Sequence, residues 1–283
     1  MITLKGAEVS ARLKEQVQEM VKDLHGRIPK LAIVRVGERP DDLSYERGAM
    51  KKMEAFGLEA VSCVFPADIA DEEFKEAFRK INRDPEIGGI LVLRPLPKQI
   101  CERDIENMIS PDKDLDGISP INIAKVFAGD ESGFAPCTAE AVVEVLKAND
   151  IEIAGKRAVI VGRSMVVGKP LAMLLMKENA TVTVCHTKTA DLPKTCGAGE
   201  ILVAAAGRAK MIGGDYVGPG AVVIDVGINV DADGRLCGDV DFDAIQEKAS
   251  MATPVPGGVG AVTTAVLAKH LVLAAVKQKK GAK

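Results

Sequence analysis

Short apolar runs, rich in β-branched residues and mostly closed by glycine, recur along this chain with amphipathic helical stretches between them. KLAIVRVG (30–37), GGILVL (88–93), KRAVIVG (156–162), EILVAAAG (200–207) and AVVIDVG (221–227) are of this kind. A strand that is apolar on both faces must be covered on both, which is the condition of a parallel sheet flanked by crossover helices. The connections are then right-handed and the fold class is α/β.

The helical periods fit this. Val9, Leu13, Val17, Met20, Val21 and Leu24 line one face over residues 8–25, and further helices are expected over 42–56 and 71–82, with a strand EAVSCVF (59–65) between them. Residues 110–137 are rich in Pro, Asp and Gly and show no period, so a long functional loop is expected there. A helix over 138–148 opens a second series, with a helix after Gly168, a strand TVTVCH (181–186), a hairpin turn at DADG (231–234), a loop TPVPGGVG (253–260), a last helix over 262–276 and a frayed basic tail KQKKGAK. At about 150 residues per domain, 283 residues make two domains.

Composition narrows the function. The 37 basic and 40 acidic residues are evenly mixed, which argues against a nucleic-acid binder. Seven Phe, two Tyr and no Trp leave little for stacking-based binding of single strands, so any exposed tyrosine is scarce. The six cysteines form no CxxC pair and read as small buried hydrophobes rather than disulfides or a metal site. The charged N-terminus is unlike a signal peptide, and Lys269 and His270 interrupt the longest apolar stretch. A cytoplasmic protein with no membrane partner is expected.

RAVIVGRSMVVGKP (157–170) is a buried strand, a glycine, a six-residue step to Gly168, and Pro170 at a helix start. Glycines there permit a tight strand-to-helix turn whose helix N-terminus can receive a pyrophosphate. The spacing departs from GxGxxG, and the same glycines would also serve a plain turn. The next strand ends in Cys185-His186-Thr187-Lys188 with no acid to bind a ribose 2′-hydroxyl, while Arg163, Thr187 and Lys188 offer charge and donors to a 2′-phosphate. NADP is favoured over NAD. His186 is also readable as a solvent-facing strand end.

Together with that segment, GERPDDLSYERGAMKK (37–52), PDKDLDGISPINIAKV (111–126), PCT (136–138), VIDVGIN (223–229) and TPVPGGVGAVTTAVL (253–267) resemble the methylenetetrahydrofolate dehydrogenase/cyclohydrolase family. The match is collinear from about residue 30 to residue 270. The resemblance implies a folate-binding catalytic domain (1–138 with the C-terminal helix 262–283), a Rossmann-type NAD(P)-binding domain (139–261), a cleft between them, and a homodimer through the second domain. Tyr45 matches the tyrosine that packs on the folate ring, Asp116 the acid that binds the pterin, and Pro256, Gly257 and Gly258 the loop over substrate and nicotinamide. Gly162, Arg163, Ser164, Gly168, His186, Thr187, Gly227, Ile228 and Thr263 match cofactor positions. On the residues alone, Asp116 could accept from an aminopyrimidine edge or make an Asx turn before Gly117. The Pro/Gly loop could approach a flat ligand or only connect strand to helix.

Bifunctional members resemble one another in a lysine four residues after the tyrosine and in a glutamine within GILVQLPLP. Here those positions hold Ala49 and Leu93. Hydride transfer needs alignment and dryness more than an acid or base. Hydrolysis of the methenyl product needs a group that handles protons and steadies charge. Lys52 lies on the same helical face as Tyr45 but about 10.5 Å along it, and Lys51 points about 120° away. Arg94 alternates to the other side of the strand from Leu93, and a guanidinium is a poor base. The expectation is an NADP-dependent dehydrogenase with weak or absent cyclohydrolase activity, the alternative being a fully bifunctional enzyme.

Overall fold

The computed structural model describes residues 1–24 and 30–281. The last residue of the helix expected over 8–25 and the end of the basic tail lie outside these. In chain order the elements are β1 (Ile2–Thr3), α1 (Gly6–Lys22), β2 (Lys30–Val36), α2 (Pro40–Ala55), β3 (Glu59–Phe65), α3 (Asp71–Arg83), β4 (Ile87–Val92), α4 (Glu102–Met108), α5 (Pro120–Ala128) and α6 (Cys137–Ala148). They continue with β5 (Arg157–Val161), α7 (Gly168–Lys177), β6 (Thr181–Cys185), α8 (Leu192–Gly197), β7 (Ile201–Ala204), β8 (Val222–Asp225), β9 (Asn229–Val230), β10 (Leu236–Cys237), β11 (Met251–Ala252) and α9 (Val259–Gly281). The chain forms two compact units, Leu13–Cys137 with Thr264–Lys283, and Met1–Arg12 with Thr138–Thr263.

The first of these units is built on a three-stranded parallel sheet of order β3-β2-β4. Phe74, Phe78, Ile90 and Ile105 fill its core. Arg35 lies in the central strand and would be costly to bury alone. Its Nε donates to Glu46 Oε2 of α2 at 2.6 Å, and Ser62 of β3 also donates to Glu46. This ion pair, 8% and 10% exposed, fixes α2 against the sheet and so fixes Tyr45, the residue before Glu46.

Within the expected long loop the structure has a helix, α5. Its signals are local: Ser119 Oγ accepts the Asn122 N–H at 3.2 Å, Pro120 starts the first turn, and Gly129 closes the helix at φ 72°. Ile121, Ile123 and Phe127 are exposed, so its apolar positions do not mark a core-facing side.

The other unit carries a six-stranded parallel sheet of order β1-β11-β8-β7-β5-β6. DADG forms the turn of the β9–β10 hairpin. Residues 1–12 belong to this unit and not to the first, because β1 adds to β11 and the Gly6 N–H donates to Gly257 O at 2.8 Å. Two exposed strand residues carry no readable pattern. The last helix begins at Val259, earlier than expected. By length and composition α9 could cross a bilayer, contrary to the sequence expectation, yet 67% of its apolar window is buried inside the protein, with Val266, Leu267 and Leu271 inaccessible.

Replacing Arg35 with Met leaves the Glu46 carboxylate buried without its cation. The expected loss is about 3 kcal/mol, read as a lower denaturant midpoint, and Arg35→Met with Glu46→Leu should recover most of it. An unchanged midpoint for Arg35→Met would contradict the role of the pair.

Candidate functional site

On α2, Glu46, Ala49 and Met53 face inward and Tyr45 stands beside them, 36% exposed. Asp116 comes to the same place through the DLDG turn. The turn is made by Asp114, whose carboxylate accepts the N–H groups of Ile118 (3.0 Å) and Ser119 (2.8 Å) and Asn122 Nδ2 (2.9 Å). Gly117, at φ 60°, lies so close to Phe134 O that a side chain there would overlap it. Asp116 is therefore free of the Asx role and instead accepts the Cys137 N–H at 2.9 Å.

Burial pushes the Asp116 carboxyl up, opposed by that N–H and by the charge of Arg94. Burial, with the Asp116 charge beside it, holds the Tyr45 hydroxyl well above the ordinary tyrosine value. Tyr45 therefore stays neutral. Behind them His270 Nδ1 donates to Leu115 O at 2.8 Å and lies 3.7 Å from Cys137 Sγ. In the sequence His270 shows only as an interruption of an apolar run.

Ala49 and Leu93 are buried, at 0% and 7% exposure. The Lys52 ammonium sits 5.8 Å from the centre of the Phe56 ring, and burial lowers its pKa. Lys51 is exposed. Arg94 is half-buried, with Nη1 at 3.3 Å from Glu102 Oε1 and 3.1 Å from Glu106 Oε1.

In the other unit, the residues expected to hold the cofactor gather at the carboxyl ends of parallel strands, where open α/β sheets bind ligands. β6 lies on one side of β5 and β7 on the other, which makes β5 the switch point. Gly162 ends β5 at φ 134°, and a side chain there would overlap Ala205 O; one at Gly168 would overlap Gly162 O. Both glycines are thus demanded by close backbone approach. Ser164 Oγ accepts the Val167 N–H at 3.1 Å, and Arg163 is exposed.

After β6, His186 Nδ1 accepts the Lys188 N–H at 3.1 Å, so His186 shapes a turn that leaves Thr187 exposed. Gly227 and Ile228 follow β8, with Ile228 69% exposed. Pro256, Gly257 and Gly258 follow β11, and the backbone of Gly257 and Gly258 packs on Gly6. The buried Thr263 hydroxyl donates to Val259 O at 3.3 Å. Two buried carboxylates not singled out by the sequence, Asp225 and Asp239, lie behind these turns.

A dinucleotide-type turn on a parallel sheet in one unit, and a second unit with its own parallel sheet that carries Tyr45 and Asp116, define a two-domain α/β protein. Residues 4–116 match the tetrahydrofolate dehydrogenase/cyclohydrolase catalytic domain, and residues 136–279 match the NAD(P)-binding domain of the same family. The chain belongs to the tetrahydrofolate dehydrogenase/cyclohydrolase family. It is 53% identical to the Bifunctional protein FolD of Alkaliphilus oremlandii over 96% of both chains, and 50% identical to that of Clostridium kluyveri over 99% of both. Among solved structures, the bifunctional FolD of Campylobacter jejuni superposes with a TM-score of 0.94 at 39% identity, covering 98% of this chain and 99% of that one. The FolD of Trypanosoma brucei, complexed with NADP cofactor and inhibitor, superposes at 0.91 and 35% identity, covering 99% and 98%.

Asp225 supplies a test of this local structure. It accepts the N–H groups of Gly227, Asp239 and Val240, yet burial pushes its pKa up to about 6, the charge of Asp239 acting in the same direction. A carboxyl whose pKa is raised by folding binds its proton more tightly in the folded state. Its stabilising contribution is therefore greatest below about pH 4 and falls as pH rises to about 6. The melting temperature of the parent minus that of Asp225→Asn should fall as pH rises through this window, and a difference that grows would contradict the assignment.

Proposed function

We propose that this chain oxidises 5,10-methylenetetrahydrofolate to 5,10-methenyltetrahydrofolate, passing hydride from the methylene carbon to C4 of the nicotinamide of NADP+. The observation that carries the reading is that Asp114 takes over the turn-making and leaves Asp116, in the same unit as the part-exposed Tyr45, with only the Cys137 N–H to accept. In this reading Tyr45 stacks on the flat pterin, and Asp116 accepts hydrogen bonds from its aminopyrimidine edge. Pro256, Gly257 and Gly258 cover substrate and nicotinamide. Gly162, Arg163, Ser164, Gly168, His186, Thr187, Gly227, Ile228 and Thr263 hold the nucleotide, with the exposed Arg163, Thr187 and Lys188 favouring a 2′-phosphate. When bound, NADP+ supplies the hydride acceptor, and the protein's work is alignment and exclusion of water. The working form in this reading is a cytoplasmic homodimer joined through the dinucleotide unit.

The name shared by the two curated relatives supports a second reading, in which the chain also hydrolyses the methenyl product, over the expectation that this activity is weak or absent. The chain's own residues pull the other way. Ala49 and Leu93 offer no proton donor or acceptor, the Lys52 ammonium lies over Phe56, and Arg94 is engaged by Glu102 and Glu106. On these grounds hydride transfer is retained and hydrolysis is impaired.

Reduced nicotinamide should form on mixing enzyme, methylenetetrahydrofolate and nucleotide, with a higher kcat/KM for NADP+ than for NAD+; none with either nucleotide would overturn the main reading. With methenyltetrahydrofolate supplied alone, Ala49→Lys with Leu93→Gln should hydrolyse it about 100-fold faster than the parent. A parent that hydrolyses it as fast as it transfers hydride would establish the second reading.

A further inference from the structure

DVG at 225–227 and GD at 238–239 interlock. The Asp225 carboxylate fills the space that a side chain at Gly238 would need, and the Asp239 carboxylate fills the space that a side chain at Gly227 would need. Each aspartate thus explains the other's neighbouring glycine. Asp239 is fully buried and accepts four N–H donors: Ala206 (2.6 Å) and Gly207 (2.9 Å) on Oδ2, and Arg208 (2.8 Å) and Asn229 Nδ2 (2.9 Å) on Oδ1.

Successive backbone amides converging on one anion form the kind of nest that elsewhere binds phosphate. Here the anion is a side chain of the same chain, and it is consumed in shaping the loop. That loop reaches the first glycine of the dinucleotide turn, since the Ala205 N–H donates to Val161 O at 2.9 Å and Ala205 O occupies the side-chain space of Gly162. On the other flank Asp225 fixes Gly227, and Thr253 Oγ1 accepts the Asp225 N–H at 2.7 Å. The Asp239 carboxylate therefore ties together the segments that follow β7 and β8, and the first of these reaches the end of β5 through the Ala205 backbone.

We propose that Asp239 is a positioning residue for the dinucleotide, setting Ala206–Arg208 and Gly227–Asn229 against the Gly162 turn without touching the nucleotide itself. The proposal rests on the reading of this unit as the NADP site. It identifies a residue outside the glycine turn on which that site depends. Asparagine is nearly isosteric with aspartate, but it presents one acceptor oxygen and an amide that would meet the backbone N–H donors head on.

The test uses the full chain and NADPH as the probe, with binding followed by the fluorescence of the reduced nucleotide. Asp239→Asn should weaken NADPH binding and raise the KM for NADP+ about tenfold or more, about 1.4 kcal/mol, while the KM for methylenetetrahydrofolate is unchanged. Such a split is not what a general loss of folding would give. Should Asp239→Asn fail to fold, Asn229→Ala removes a single donor and should raise the KM for NADP+ alone. A folded Asp239→Asn that binds NADPH as the parent does, or an Asn229→Ala with the parental KM, overturns the proposal. A parent that binds no NADPH overturns the reading of the site and the proposal with it.

Discussion

Buried carboxylates holding backbone N–H groups are the interaction on which both candidate sites depend. Amides in a tight loop that cannot reach water must find an acceptor, and a carboxylate can take several at once. Asp114 does this for Ile118 and Ser119, Asp239 for Ala206, Gly207 and Arg208, and Asp225 for Gly227, Asp239 and Val240. Asp225 is the last residue of β8 and Asp239 follows β10, whereas Asp114 lies alongside Ile90 of β4. Removing one exposes a set of amides to unmet hydrogen bonding, so these loops are held in place more firmly than their glycine content suggests.

The division of labour between neighbouring aspartates follows. Asp114 is 1% exposed and spends both oxygens on the turn, which leaves Asp116 free of that role and accepting only the Cys137 N–H. The Arg35–Glu46 pair does the corresponding task for α2, holding the helix so that Tyr45 is set next to Asp116. What this pocket offers a ligand is a ring, an acid and the charge of Arg94. Ala49 and Leu93 are buried and carry no group that donates or accepts a proton. Such a pocket suits a step that needs alignment better than one that needs proton transfer.

Much of the fold is legible in the sequence because buried parallel strands have a strong signature. EAVSCVF is β3 residue for residue, and the glycines 162 and 168 that the turn demands are visible in RAVIVGRSMVVGKP. Elements that escape are those whose reason lies far away in the chain. β1 is two exposed residues ordered only by pairing with β11, and α5 is capped locally but turns Ile121, Ile123 and Phe127 away from the core. At the site, Tyr45 and Asp116 stand out by scarcity and by their motif. Asp239 does not, because its importance comes from four donors contributed by residues 206–208 and 229, and no local spacing encodes that.

In the proposed reading this site supports hydride transfer, while Ala49 and Leu93 leave the following hydrolysis without a proton-handling group. Its most direct measurement is a single progress curve with methylenetetrahydrofolate and NADP+, recording reduced nicotinamide and methenyltetrahydrofolate together. The two are expected to rise one for one once the spontaneous hydrolysis of methenyltetrahydrofolate is subtracted. Reduced nicotinamide that rises while methenyltetrahydrofolate fails to accumulate would contradict it.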